Sequence, residues 1–73
     1  MDVEILAPLA GKVIQLNIEA GGKVKEDDEA LVTEAMKMET PVFAPCDGTV
    51  KEISVKAGDM VEEDDLLAVI EEE

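Results

Sequence analysis

Thirty-six residues precede Lys37 and thirty-six follow it, and the two flanks are copies of one another at an offset of 37 with no gap. Ala7-Pro8-Leu9-Ala10-Gly11-Lys12-Val13 lies over Ala44-Pro45-Cys46-Asp47-Gly48-Thr49-Val50. Ala20-Gly21-Gly22-Lys23-Val24 lies over Ala57-Gly58-Asp59-Met60-Val61, and the acidic stretches after them also correspond. Lys37 alone has no counterpart. A unit this short cannot bury a hydrophobic face by itself, so the halves 1–36 and 38–73 are expected to close one core around a pseudo-twofold axis. The chain then reads as a single domain, 1–73, with the lysine at its middle.

The periodicity is that of strands. Val3, Ile5 and Ala7 alternate with Asp2, Glu4 and Leu6, and Thr40, Val42 and Ala44 repeat the pattern. Pro8 to Gly11 and Pro45 to Gly48 read as turns, because proline fixes φ and glycine accepts positive φ. The apolar positions shared by the next pair of segments are Val13/Val50, Leu16/Ile53 and Ile18/Val55. Their spacing of three and then two predicts a bulge in each copy, with Ile14 more exposed than its chemistry suggests, since its counterpart is Lys51. Turns follow at Gly21-Gly22 and Gly58-Asp59, then very short strands at Val24 and Val61. Ala30 to Ala35 and Leu66 to Ile70 are nearly continuous apolar runs, as in strands covered on both faces. Pro41 cannot donate to a ladder, so its strand is expected at an edge or at a bulge. The count is four strands per half, eight in all, with no helical periodicity.

Composition narrows the function. The net charge is −13, from 19 acidic residues and 6 basic ones. That excludes nucleic acid and anionic membrane surfaces, which require basic patches. No apolar run reaches the roughly 20 residues of a spanning helix, so no direct membrane insertion is expected. The acidic start lacks the basic residues of a signal peptide, which predicts a cytoplasmic protein with Cys46 as a free thiol. One cysteine and no histidine leave no structural zinc site and no internal disulfide. The runs Glu26-Asp27-Asp28-Glu29 and Glu62-Glu63-Asp64-Asp65 lack the spaced oxygens and central glycine of a calcium loop, and read as solvated turns. No metal site is expected. Cys46 stands where the first copy has Leu9, and reads as a small half-buried apolar residue.

The centre of the chain breaks a local rule. Lys37 falls between two strands with almost no room for a loop, so it must occupy a tight hairpin tip. Glycine or asparagine belongs there, yet the sequence reads Met36-Lys37-Met38. Two methionines at a solvent-facing turn bury little, and suit contact with another surface. A lysine on a hairpin tip is unremarkable alone; at the centre of a duplicated fold it marks function.

Glu34-Ala35-Met36-Lys37-Met38-Glu39 resembles the biotin-attachment motif of the biotin carboxyl carrier (biotinyl) domains of the biotinyl/lipoyl attachment family. The resemblance covers the whole chain. The family pattern of Ala-Pro-x-x-Gly, a valine strand and Gly-Asp-x-Val is met by Ala44-Pro45-Gly48-Val50 and Gly58-Asp59-Val61, and more loosely by Ala7-Pro8-Gly11-Val13 and Gly21-Gly22-Val24. The resemblance implies an all-β fold, a flattened barrel-sandwich of two four-stranded antiparallel sheets, with Lys37 on the hairpin between the fourth and fifth strands. It implies covalent biotin on the Lys37 amine, attached by a biotin protein ligase from biotinyl-adenylate. It implies further partners: a biotin carboxylase, and a carboxyltransferase or decarboxylase subunit, between which the domain is a non-catalytic carrier. Glu34 and Glu39 are either ligase or partner contacts, or plain solvated flanks. Leu16 to Gly21 leaves no room for the "thumb" insertion of some bacterial acetyl-CoA carboxylase carriers, which points to the thumbless type.

Lysine suits this task because it offers a primary amine on a long stem, and arginine could not form the amide. Acyl transfer needs a neutral amine, which the ligase must generate. Two other readings stand beside this one. A lipoyl carrier shares the fold, but lipoyl domains usually carry Asp-Lys-Ala at this turn. An unmodified barrel-sandwich module that only binds partners usually has an insertion at the central hairpin, and this chain has none.

Overall fold

A computed structural model describes residues 1–73, and every one of its regular elements is a strand. In chain order they are β1 (Asp2–Leu6), β2 (Gly11–Leu16), β3 (Lys23–Val24), β4 (Glu29–Ala35), β5 (Met38–Phe43), β6 (Gly48–Ile53), β7 (Met60–Val61) and β8 (Leu66–Glu72). The offset of 37 carries β2 onto β6, β3 onto β7 and β4 onto β8 residue for residue, and β1 onto β5 to within one residue.

The strands form two antiparallel sheets, in the orders β1-β8-β6-β3 and β5-β4-β2-β7. Exchanging the halves turns one order into the other. Each sheet draws strands from both halves, so either half alone would keep only one ladder, β2–β4 or β6–β8. The sheets are not closed into a barrel by ladder bonds. Pairs of backbone hydrogen bonds bridge their corners instead: Ala7 N–H donates to Asp65 O while Ala7 O accepts from Asp64 N–H, and the Ala44 N–H and O do the same with Asp28 and Asp27. The body measures 35 × 17 × 16 Å.

Side-chain alternation follows the sequence pattern. Ile5 and Ala7 are buried while Asp2, Glu4 and Leu6 face solvent, and Val42 on β5 and Ala44 just after it repeat this. The core joins both sheets through Ile5 and Ile70 from one, and Val13 and Leu31 from the other. The interior strand β4 buries Ala30, Leu31, Val32 and Thr33 in succession. Thr33, the one buried polar side chain, donates its hydroxyl to Thr40 O at 3.4 Å.

Both bulges occur where the repeat places them. The β2–β4 register slips between Val13 and Gln15, so Ile14 is the extra residue and is only half-buried. The β6–β8 register slips between Val50 and Glu52, at Lys51. Lys51 is exposed and reaches Asp2 Oδ2 at 2.7 Å. That hydrogen bond lowers the Asp2 pKa and raises the Lys51 pKa. Pro41 sits on β5, the edge of its sheet, opposite Val32.

The Pro-to-Gly segments are bends, but the glycines are there for a different reason from positive φ. Gly11 and Gly48 are the first residues of β2 and β6, and neither has positive φ. A Cβ at Gly11 would lie 2.6 Å from Glu34 O, and one at Gly48 would lie closer still to Glu71 O. They permit close approach of neighbouring backbones. Outside the β4–β5 connection, the positive-φ positions are Gly21, Asp27, Gly58 and Asp64. Each is the third residue of a turn whose ends are joined by a hydrogen bond, such as Asp28 N–H to Lys25 O at 3.0 Å.

Candidate functional site

The β4–β5 hairpin has the shortest ordinary connection. Ala35 pairs with Met38, leaving Met36 and Lys37 as a two-residue turn. Both have positive φ, 53° and 65°. Positive φ at both central residues is the type I′ pattern, whose twist matches that of the flanking strands. Met36 and Lys37 pay a steric cost there that glycine would avoid. The sequence places non-glycine side chains at the tip, and the fold holds them in the left-handed region.

The tip is open. Met36 is 95% exposed, Met38 is 69% exposed, and Lys37 is exposed. The Lys37 amine has no ion pair, although the chain carries 19 carboxylates; the two salt bridges are Lys23–Glu73 and Lys51–Asp2. Glu34 and Glu39 face each other across the ladder, both exposed, with Lys12 opposite Glu34 on β2. Like charges directly opposite one another destabilise a strand pair. Ala35 is half-buried and begins the turn.

The acidic runs shape turns. The Lys25 N–H donates to Asp28 Oδ2 at 3.0 Å, and the Glu62 N–H donates to Asp65 Oδ2 at 2.8 Å. Asp27 and Asp64 supply the left-handed residue of each turn, a conformation aspartate tolerates. No group of three acidic, histidine or cysteine side chains is gathered closely enough to hold a metal ion. Cys46 is half-buried against the core. Burial raises its thiol pKa, and the carboxylates of Glu72, Asp47 and Glu26 raise it further.

The sequence reading missed a groove beside the tip. It is an open depression of about 710 Å³, with Ala10, Ala35, Met36, Met60 and Val61 among its apolar lining. Glu34, Glu62 and Asp65 stand in the same lining. Met60 carries no motif, which is why it drew no notice. The signal that could have found it is disagreement between the copies, because its counterpart is Lys23.

The family model for biotin-requiring enzymes matches residues 3–70. This chain belongs to the biotin-requiring enzyme family. Over 40 residues it is 43% identical to the gamma subunit of glutaconyl-CoA decarboxylase from Acidaminococcus fermentans, a match covering 55% of this chain and 28% of that subunit. The urea carboxylase of Kluyveromyces lactis contains a region that superposes with a TM-score of 0.88 at 36% identity, covering 96% of this chain and 6% of the carboxylase. A single-chain, multi-domain long-chain acyl-CoA carboxylase superposes with a TM-score of 0.92 at 28% identity, covering 99% of this chain and 7% of that protein. The chain thus spans less than a third of the decarboxylase subunit and under a tenth of either carboxylase.

The tip of this biotin-requiring domain fits an amide-linked group. It presents a primary amine, exposed and unpaired, on a turn that a two-residue hairpin holds in place. The family match runs across the whole hairpin, so Lys37 lies within it.

Proposed function

We propose that Lys37 is the biotinylation site, and that the chain is the carrier part of a multi-component biotin-dependent carboxylase or decarboxylase. The observation that carries this reading is the unpaired amine at the apex of a type I′ turn built from residues that disfavour it. Membership of the biotin-requiring family supports the cofactor. The decarboxylase and carboxylase relatives support the kind of complex.

In attachment, the Lys37 nitrogen attacks the acyl carbon of biotinyl-adenylate, held by a biotin protein ligase. A C–N amide bond forms, the acyl–phosphate bond breaks, AMP leaves, and the nitrogen loses its proton to a base on the ligase. The chain has no histidine and none of its carboxylates contacts the Lys37 amine, so the base is assigned to the ligase. Once bound, biotin supplies a ureido nitrogen able to carry a carboxyl group. The domain contributes position. The two strands of the hairpin fix the root of the arm, and a tethered group reaches biotin carboxylase and carboxyltransferase or decarboxylase sites at a high effective concentration. Met36 and Met38 offer adaptable apolar contact to those partners.

Co-expression with a biotin ligase is expected to add the mass of one biotinyl group, read by intact-mass spectrometry. Lys37→Arg keeps the charge and the length of the side chain, and is expected to gain nothing. A full gain in Lys37→Arg would assign the biotin elsewhere, and a lipoyl mass on protein from its native host would change the cargo.

A further inference from the structure

The duplication supplies an internal control for the groove beside Lys37. The pseudo-twofold axis places an equivalent site at the other end of the molecule, where β8 ends beside the start of β1 and Glu72 N–H donates to Met1 O. At the offset of 37, Ala10, Ala35, Met36 and Met60 correspond to Asp47, Glu72, Glu73 and Lys23. A smaller depression of about 320 Å³ lies there; it shares Asp47, Glu72 and Glu73 with the equivalent lining and is completed by Glu26, Pro45 and Cys46. Lys23 Nζ lies 3.9 Å from Glu73 Oε1 in the place where the lysine end sets Met60 and Met36 into one groove. One backbone thus carries four charged residues at one end and four apolar ones at the other.

Folding does not demand the apolar set. The equivalent end is built without it, and Met60 is 74% exposed and Met36 is 95% exposed, so neither contributes much to the core. The set of Ala10, Ala35, Met36 and Met60 is confined to the end that bears the amine. Its rim is rich in acceptors. Asp65 Oδ2 is occupied by the Glu62 N–H, while the carboxylates of Glu34 and Glu62 receive no hydrogen bond. Such a groove repels anions and suits a neutral group with an apolar body and N–H donors. Biotin has this chemistry: an alkyl arm, a thioether ring and a ureido edge with two N–H donors.

We propose that the groove between the hairpin tip and β7 is a resting berth for the biotin ring carried on Lys37 of the same chain. This rests on the reading that Lys37 is biotinylated. Met36, which lines the groove, is the neighbour of the attachment residue, so the ring is tethered beside its seat. A short flexible tether gives an effective concentration in the millimolar range, and a correspondingly weak contact is enough to populate the berth. The alkyl arm and sulfur lie against Ala10, Met36 and Met60, and the ureido N–H groups face the Glu34 and Glu62 carboxylates. A partner then competes for the ring with a shallow site on the carrier.

The test compares NMR spectra of unmodified and ligase-biotinylated protein, with the modification established by mass. The Ala10 methyl and the Val61 amide are expected to shift on biotinylation together with the hairpin residues. In Ala10→Asp/Met60→Lys, which installs the residues used at the equivalent end, the Val61 shift is expected to be lost and capture by avidin to become several-fold faster. The substitutions copy residues that the same backbone already carries at the equivalent end, and the comparison in unsubstituted protein stands without them. Shifts confined to Met36, Lys37 and Met38 in the unsubstituted protein would overturn the berth and leave biotin attachment intact. If Ala10 and Val61 then shifted only on adding a biotin carboxylase, the groove would be a partner surface instead. Absence of any mass gain would remove both proposals.

Discussion

Met36 and Lys37 both hold φ near +60°, a region that costs a β-carbon about 1–2 kcal/mol per residue. Because Met36 is almost wholly exposed, it recovers little of this through burial. Met36→Asn is therefore expected to raise stability by about 1 kcal/mol, measured as a higher denaturant midpoint at unchanged slope. An unchanged or lower midpoint would show that the tip stores no strain. The exceptional position of Lys37 was legible in the sequence, because the register leaves it unpartnered between two strands. The groove was not legible, since Met60 lies 24 residues from Met36 in the chain and only the fold sets them side by side.

At the scale of the strand, the repeat reports what a single copy conceals. Ile14 continues a clean alternation, and only Lys51 at the same place in the second copy shows that the position faces outward. The structure puts a bulge at both. Gly11 and Gly48 show the opposite case. The sequence identifies glycines near turns, and the natural reason is positive φ. The structure assigns them to strand starts, where the carbonyls of Glu34 and Glu71 leave no space for a Cβ. The sequence cannot show this, because the crowding comes from strands 23 residues away. Gly48→Asn is expected to destabilise by about 1–3 kcal/mol, the range for overpacking, and by more than Gly21→Asn, because asparagine tolerates the φ of +86° at Gly21 and a Cβ there meets nothing. Equal effects at the two sites, compared by thermal unfolding, would return the explanation to backbone conformation.

Over the whole molecule, a net charge of −13 on a body 35 × 17 × 16 Å sets carboxylates close together with few cations between them. The two ion pairs are exposed and give little in return. The sign of the Asp2–Lys51 shifts is that of a pair stabilising across neutrality: the Asp2 contribution is lost as pH falls through its lowered pKa, and that of Lys51 as pH rises through its raised one. Added salt weakens this one attraction and many repulsions at once. The melting temperature is therefore expected to rise from low ionic strength to about 0.5 M sodium chloride, because screening relieves self-repulsion. A fall would mean that the ion pairs outweigh the excess charge. The sequence by itself determined the twofold design, the number of strands, the bulges and the lone central lysine, because each is written in local period or in the offset between copies. Only the tertiary structure decided that the halves interleave within each sheet, that two glycines serve backbone contact, and that one end of the body is grooved with apolar side chains. Those features depend on which distant segments lie beside one another, and that is set by closure of the shared core.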